Sequence, residues 1–490
     1  MPVAPQAPAI TSRVGRGGRA QRILGVGTEA GLKACQSGAA GLLTAAFVLA
    51  AIAAAGLQQG AFFERGQAAV AALIAAALVT ALPIRRAFDS ELKAPLIAAA
   101  LLAGWMLVRA VPLGSLRAAS GGAALLAGLA AIVILCRRLD RDARRLTMGG
   151  LLGFGVLLSI TAWIGVAWHL TPLGLMSEGL WRGASTITYA NALAGVLVPL
   201  ALTALALLSA TKRSVPLALV VTLLLLGVAT TLSRAGVLAL VAGLTLLVLI
   251  RGAVVLRSLL APVVGASVAF SGLLPSMPVE SHPRPGLAVA ALAVGMGVTA
   301  ALVSLRWRRS LVAATLLILI ATFASWSVAA SSGSLRSAGQ RMAENRIRVS
   351  SPARSRLNAT ALDLVAQHPL TGVGPGRVVI ESQRHGHLRV QQYVHNEYVQ
   401  TLTEVGAIGA ALLAALLATT LRLLWRSRAS ERAPVFWAGT VAACAAAVVH
   451  AGFDFVWHVP VVPLTLAALI GLAVKPVTST NDGDPTERRL

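Results

Sequence analysis

The run ANALAGVLVPLALTALALLSATKR, Ala190 to Arg213, decides the class of fold. A single Asn191 stands near its start, an unbroken apolar stretch follows, and Lys212 and Arg213 close it. A helix that crosses the hydrocarbon core of a bilayer needs about 20 mostly apolar residues, and this run supplies them. Comparable runs recur along the whole chain, at 37–58, 67–84, 94–111, 118–136, 148–170, 188–210, 215–232, 235–250, 255–275, 286–305, 310–330, 405–424, 435–452 and 459–474. The 490 residues are 57% hydrophobic and only 12% charged, against about a quarter charged in soluble domains. The expected fold is all-α: a polytopic integral membrane bundle of about fourteen spans.

The net charge of +24 does not point to nucleic acid. Most of the 42 Lys and Arg fall in short segments between apolar runs, such as Arg137, Arg138, Arg141, Arg144 and Arg145, or Arg306, Arg308 and Arg309. Their alternation follows the positive-inside rule, with both termini cytoplasmic. No basic patch with interleaved aromatics occurs. Three scattered cysteines, Cys35, Cys136 and Cys444, imply neither a disulfide framework nor a zinc site. The expected organisation is a basic cytoplasmic tail (1–36), eleven spans (37–330), a large extracytoplasmic loop (331–404), three further spans (405–475) and a short cytoplasmic tail (476–490). The loop thus lies between spans 11 and 12.

Polar residues gather in a few places on the expected outer side. TLSRAG carries Arg234 at a tight turn; YANALAG opens a span with Asn191 after a loop holding Arg182. RVSSPARSRLNATALDLVAQHPLTGVGPGR holds Arg348, Arg354, Arg356 and Arg377. YVHNEYVQTLTEVGAIGA holds His395, Asn396, Gln400 and Glu404 at the mouth of an apolar segment, and HAGFDFVWHVP holds His450, Asp454 and His458. GVGPG lacks the Lys-Ser/Thr of a phosphate-binding P-loop, which excludes nucleotide binding of that kind. His450, Asp454 and His458 are spaced to share a helix face as metal ligands, but an aromatic interfacial belt with Phe453, Phe455 and Trp457 explains them better. Arg binds phosphate through planar bidentate contacts, and a His exchanges protons near neutral pH. Several Arg beside one His at a membrane face therefore suit transfer from a polyprenyl-diphosphate sugar. Such a reaction needs charge stabilisation on the leaving diphosphate and a base for the incoming hydroxyl.

The tandem HPLTGVGPGR (368–377) and HNEYVQTLTEVGAIG (395–409), with the weaker SRAG (233–236) and HAGFDFVWHVP (450–460), resembles the O-antigen ligase/polymerase family of bacterial lipid-linked glycan transferases. The resemblance spans roughly residues 180–475. It implies a multi-pass inner-membrane enzyme of cell-envelope polysaccharide synthesis, with its active site on the periplasmic or extracytoplasmic face. The implied donor is an undecaprenyl-diphosphate-linked glycan; the acceptor is a second glycan, lipid A-core or a protein. The implied enzyme uses no cofactor and, in the ligases, no metal. His395 is implied as the base, and Arg234 and Arg356 as diphosphate ligands, joined by Arg377. Thr360 stands where an aromatic commonly follows the loop Arg by one turn, so Arg354 stays open as the alternative to Arg356.

Asn396 and Gln400, four residues apart, are placed to bind sugars or orient the His. Glu404 requires a partner near the membrane, for which a loop Arg is expected. Asn191, Arg182, His450 and Asp454 are candidate supporting groups. Ligase, polymerase and protein-glycosylating activities all remain open at this point. A transporter or flippase is the rival from another class, but it requires ionisable or broken helices near the midplane, whereas here the ionisable residues gather at the faces.

Overall fold

A computed structural model describes residues 38–84, 90–211, 213–304, 352–384, 387–428 and 434–474. The expected span 310–330, both tails and Arg348 lie outside the described residues. The chain is mostly helical. In order, the helices are α1 (Gly38–Leu57), α2 (Glu64–Thr80), α3 (Lys93–Ala110), α4 (Leu116–Arg138), α5 (Arg141–Ala167), α6 (Ala190–Ala210) and α7 (Val215–Thr230). After them come α8 (Arg234–Arg251), α9 (Val254–Ser271), α10 (Pro285–Ser304), α11 (Pro352–Gln367), α12 (Glu397–Ser427), α13 (Pro434–Ala451) and α14 (Val461–Ala473). Two antiparallel hairpins, β1–β2 (Gly174–Ser177 with Leu180–Gly183) and β3–β4 (Ile380–Arg384 with His387–Gln391), complete it.

Among the described residues nine helices are long and apolar enough to cross a membrane, and three shorter ones are apolar. The chain is a multi-pass membrane protein. Two helix starts differ clearly from the sequence expectation, α12 beginning at Glu397 rather than 405. The helix expected from 148 begins at Arg141, because the Asp140 carboxylate caps it by accepting from Ala143 N at 2.9 Å. Arg141, Arg144 and Arg145 therefore sit in its first turns rather than in a loop.

The opening run is the central post of the bundle. In α6 94% of the span-length window is buried, as expected of a helix that is apolar on every face. Small residues let its neighbours approach. At Gly439 in α13 a Cβ would lie 2.9 Å from the Thr203 Cα of α6, and at Gly243 in α8 one would lie 2.8 Å from the Ala442 carbonyl oxygen of α13. In the membrane, helices associate chiefly through such close packing.

The break in α12 ties the motif-bearing loop to the bundle. Gly406 adopts φ +66° and ψ −171°, which interrupts the helical ladder. The carbonyls of Thr403 and Glu404 accept from Val373 N (2.8 Å) and Gly374 N (2.9 Å), and Ala407 N donates to the Pro369 carbonyl (2.8 Å). From α3, Arg109 donates to the carbonyls of Thr371 (3.0 Å) and Gly372 (3.1 Å), and Trp105 Nε1 to that of Val405 (2.9 Å). Irregular backbone at a membrane boundary is tolerated where protein satisfies it in this way. The glycine-rich turn of HPLTGVGPG is thus a docking element, fixed against the helix that follows His395.

Candidate active site

Six elements meet at one end of the bundle. The β1–β2 hairpin presents Arg182. The first turn of α6 presents Asn191, preceded by Tyr189. Ser233 caps α8 by accepting from Gly236 N at 3.1 Å, which sets Arg234 as its first residue. Helix α11 contributes Arg354. The extended segment before α12 carries Tyr393 and His395, and the turn between α13 and α14 carries Asp454.

Asp454 is the hub. Its side chain is fully buried, and a buried carboxylate survives only when paired and hydrogen-bonded. His395 Nδ1 lies 2.9 Å from Oδ1. The Tyr189 hydroxyl donates to both oxygens at 2.7 Å, Asn191 Nδ2 donates to Oδ2, and Phe455 N donates to Oδ1 at 2.9 Å. Arg354 Nη2 stands 4.0 Å from Oδ2. Burial alone would raise the Asp454 pKa, but the bond and charge of His395, the charge of Arg354 and the Tyr189 hydroxyl hold it well below the usual carboxylate range. Burial, and then the neighbouring Asp454 charge, push the Tyr189 phenol well above its usual value, so it stays a donor. An ionised Asp454 can only accept, so His395 carries its proton on Nδ1 and leaves Nε2 as the basic nitrogen.

Beside this dyad lies a small pocket lined by Arg182, Asn191, Arg234, Arg354, Glu178 and Phe453. Arg182 is fixed from behind. Its Nε donates to the Thr231 carbonyl at 2.8 Å and its Nη2 to Asn191 Oδ1 at 3.0 Å. The N-terminus of α8 faces the same pocket through Arg234 and Ala235, and helix N-termini favour anions. The arrangement presents three guanidinium groups beside a His whose tautomer is set.

Residues 285–414 match the O-antigen ligase family. The match covers α10, α11, the docking turn, His395 and the first half of α12, and it bears out the resemblance read from the tandem motif. No curated protein matches the chain. The match to the O-antigen ligase family over this stretch supports a membrane glycosyltransferase-like enzyme of the ligase/polymerase kind. Asp454, Arg182, Asn191 and Arg234 lie outside the matched O-antigen ligase stretch; only the fold brings them to it.

The structure gathers His395, Arg234, Arg182, Asn191 and Asp454, and it corrects other placements. Arg354, not Arg356, reaches the pocket, and Arg356 is exposed. Residues two apart on a helix point to different faces, so one of the two must turn away. Arg377 is also exposed and donates to the Leu113 carbonyl beyond the end of α3, away from His395. Asn396 does not orient the His. Its Oδ1 caps α12, accepting from Tyr398 N (3.0 Å) and Val399 N (3.2 Å).

Gln400 turns inward, accepting from Val394 N at 2.7 Å and donating to the Gln392 carbonyl at 3.1 Å and to Glu404 Oε1 at 2.7 Å. The partner of Glu404 is therefore Gln400 rather than a loop Arg. The His450–Asp454–His458 spacing does not form one helix face, because α13 ends at Ala451. His450 is buried against Gly195 of α6 and lines a small apolar pocket with Val198 and Pro199. His458 Nδ1 pairs with Glu397 Oε2 at 2.9 Å. Burial would lower the His458 pKa, but the charge and hydrogen bond of Glu397, with Glu404 behind, raise it to about 9. The sequence reading passed over Tyr189 and Glu397. Both stood beside residues it did name, Asn191 and Asn396, but no local pattern marks a side chain that points to a partner some 60 or 265 residues away.

Proposed function

We propose that this protein transfers a glycan from undecaprenyl diphosphate to an acceptor hydroxyl, on the extracytoplasmic side of the cytoplasmic membrane. One observation carries the reading: the buried Asp454 carboxylate orients His395 and also contacts Arg354 and Asn191, which line a pocket bearing Arg182 and Arg234. The acceptor O–H gives its proton to His395 Nε2 as the oxygen forms its bond to the anomeric carbon. The bond from that carbon to the diphosphate oxygen breaks, and the electron pair leaves with the diphosphate. The Arg side chains neutralise charge there as it develops, and Asp454 stabilises the imidazolium. Asp454 is fully buried and already accepts from several donors, so it is no nucleophile. The reading is a single displacement with inversion, which no metal step is needed to complete.

The Arg and Lys distribution of the sequence supports an extracytoplasmic site. Clustering of the ionisable groups at one end of the bundle, together with the family match, favours an enzyme over a transporter. The deciding experiment is glycan transfer from a synthetic polyprenyl-diphosphate donor by purified protein. General-base catalysis typically contributes about 10²–10⁴-fold, so His395→Ala should lose transfer by that order while still binding donor. Near-normal turnover of His395→Ala would remove the proposed base.

A further inference from the structure

The Arg pocket contains a carboxylate that the mechanism above leaves unused. Glu178 lines it together with Arg182, Arg234 and Arg354. The cavity between them measures only about 30 Å³, room for a few water molecules at roughly 10–15 Å³ each. A prenyl diphosphate brings two whole phosphoryl groups, more than that volume admits. Part of the lining must therefore move before a diphosphate enters.

Glu178 stands where a hairpin turn does not select it. Ser177 pairs with Leu180, so Glu178 and Gly179 form a two-residue turn, and both have positive φ, +55° and +74°. Such turns favour Asn or Asp before the Gly, because short polar side chains tolerate the left-handed region best. A Glu is held here against that preference, and its longer side chain gives the carboxylate its reach. The backbone around it is fixed. The Gly179 carbonyl accepts from Val279 N at 3.1 Å, and Trp181 N donates to the Met277 carbonyl at 2.6 Å. The Trp181 ring stacks on His169 with centroids 4.5 Å apart. The Glu178 side chain, by contrast, is exposed, so it can swing into water with no change of backbone.

Charge says what the exchange would do. Three guanidinium groups gathered in one pocket repel one another, and a carboxylate among them offsets that repulsion. A diphosphate offers more negative charge and bidentate acceptors, so it outcompetes a single carboxylate. After transfer the leaving diphosphate is more negative than the donor was, because its bond to the sugar has become a free oxygen. The Arg groups alone would thus hold product more tightly than substrate. A carboxylate tethered beside them acts at high effective concentration and takes the product's place as it leaves. We infer that Glu178 is the exchangeable counter-ion of the Arg pocket: the donor diphosphate displaces its carboxylate, and the return of that carboxylate releases the product diphosphate. This rests on the transferase reading and adds a residue for the step that ends its cycle.

The test is the affinity of the full-length, detergent-solubilised protein for farnesyl diphosphate, which carries the free terminal phosphate of the product. Glu178→Gln removes the charge and keeps the length. Glu178→Asn removes both and suits the turn better, so it guards against loss of fold. Each should tighten binding about threefold to tenfold, the scale of one partly exposed charge pair, and slow dissociation of the probe. Arg234→Ala should weaken it. Unchanged or weaker binding in both Glu178 variants would overturn the inference; weaker binding would make Glu178 a residue that positions the Arg groups. Binding indifferent to Arg234→Ala would overturn it too, by placing the diphosphate elsewhere. Glycan transfer is measured on the same preparation. Transfer with unchanged affinity in the variants sinks the counter-ion role alone, and tightened binding without any transfer by the wild type sinks the activity and leaves the anion site with its counter-ion standing.

Discussion

Replacing Asp454 by Asn removes one charge and keeps the size of the side chain. In the native site the carboxylate is fully buried and His395 Nδ1 lies 2.9 Å from it. During transfer His395 becomes an imidazolium, so the attraction is greatest in the transition state and lowers the barrier. Two unit charges 4 Å apart at an effective dielectric near 20 interact by about 4 kcal/mol. At about 1.4 kcal/mol per decade that is roughly 10³ in kcat. A second effect acts in the same direction. An Asn amide turned to accept from His395 would aim its NH₂ at the donors Tyr189 and Asn191, and one turned the other way would enforce the wrong His tautomer.

Asp454→Asn should therefore lower kcat by about 10³ in the purified transfer assay. Donor affinity should change little, because Arg182 and Arg234 keep their places. Leaving a buried donor unpaired costs about 1–3 kcal/mol, so a lowered melting midpoint is expected and must be measured alongside. A folded Asp454→Asn protein with kcat within a few-fold of wild type would refute the argument. His395 would then act without an orienting carboxylate, or not act at all.

The two loop arginines separate cleanly. Arg354→Ala should cost about 10²–10³ in kcat, the usual price of removing one charge-stabilising donor, while the exposed Arg356→Ala should fall within twofold; equal losses would return Arg356 to the site. In the docking turn, Gly372 has φ +66° and a Cβ there would meet the Glu404 carbonyl carbon at 2.4 Å. Gly372→Ala should thus lower the yield of folded protein, and Gly104→Ala, which meets nothing within 4 Å, should not; unchanged thermal midpoints in both would show the turn to be dispensable. The His458–Glu397 pair makes stability depend on pH. His458 holds its proton to about pH 9 in the folded protein against 6.5 unfolded. Between these values the folded state binds more protons, so stability is full below about pH 6.5 and falls as pH rises towards 9. The melting midpoint should drop across that window and flatten in His458→Gln; a profile rising with pH would reverse the sign.

What could be read from the sequence follows a physical divide. Spans are local events: a run such as 190–210 is set by its own hydropathy, and α6 appears at Ala190–Ala210. Caps are local too, yet they were overlooked. Asp140 and Asn396 are capping residues in ordinary positions, and each moves a helix start away from where the apolar run begins. His395 and Arg234 were legible because each sits in a short motif. The choice between Arg354 and Arg356 was not, because it depends on the rotation of α11 against the rest of the bundle. The placement of Asp454 was hardest. Read along the chain it belongs to an i, i+4, i+8 series with two His, and the series suggests a shared face. The series fails because the helix stops before it. His450 stays in α13, Asp454 turns back to the first turn of α6, and His458 goes to the start of α12. One turn thereby supplies the dyad carboxylate on one side of Phe455 and the Glu397 ion pair on the other. A sequence pattern reports what a continuous helix would bring together; a site at helix ends is built from the interruptions.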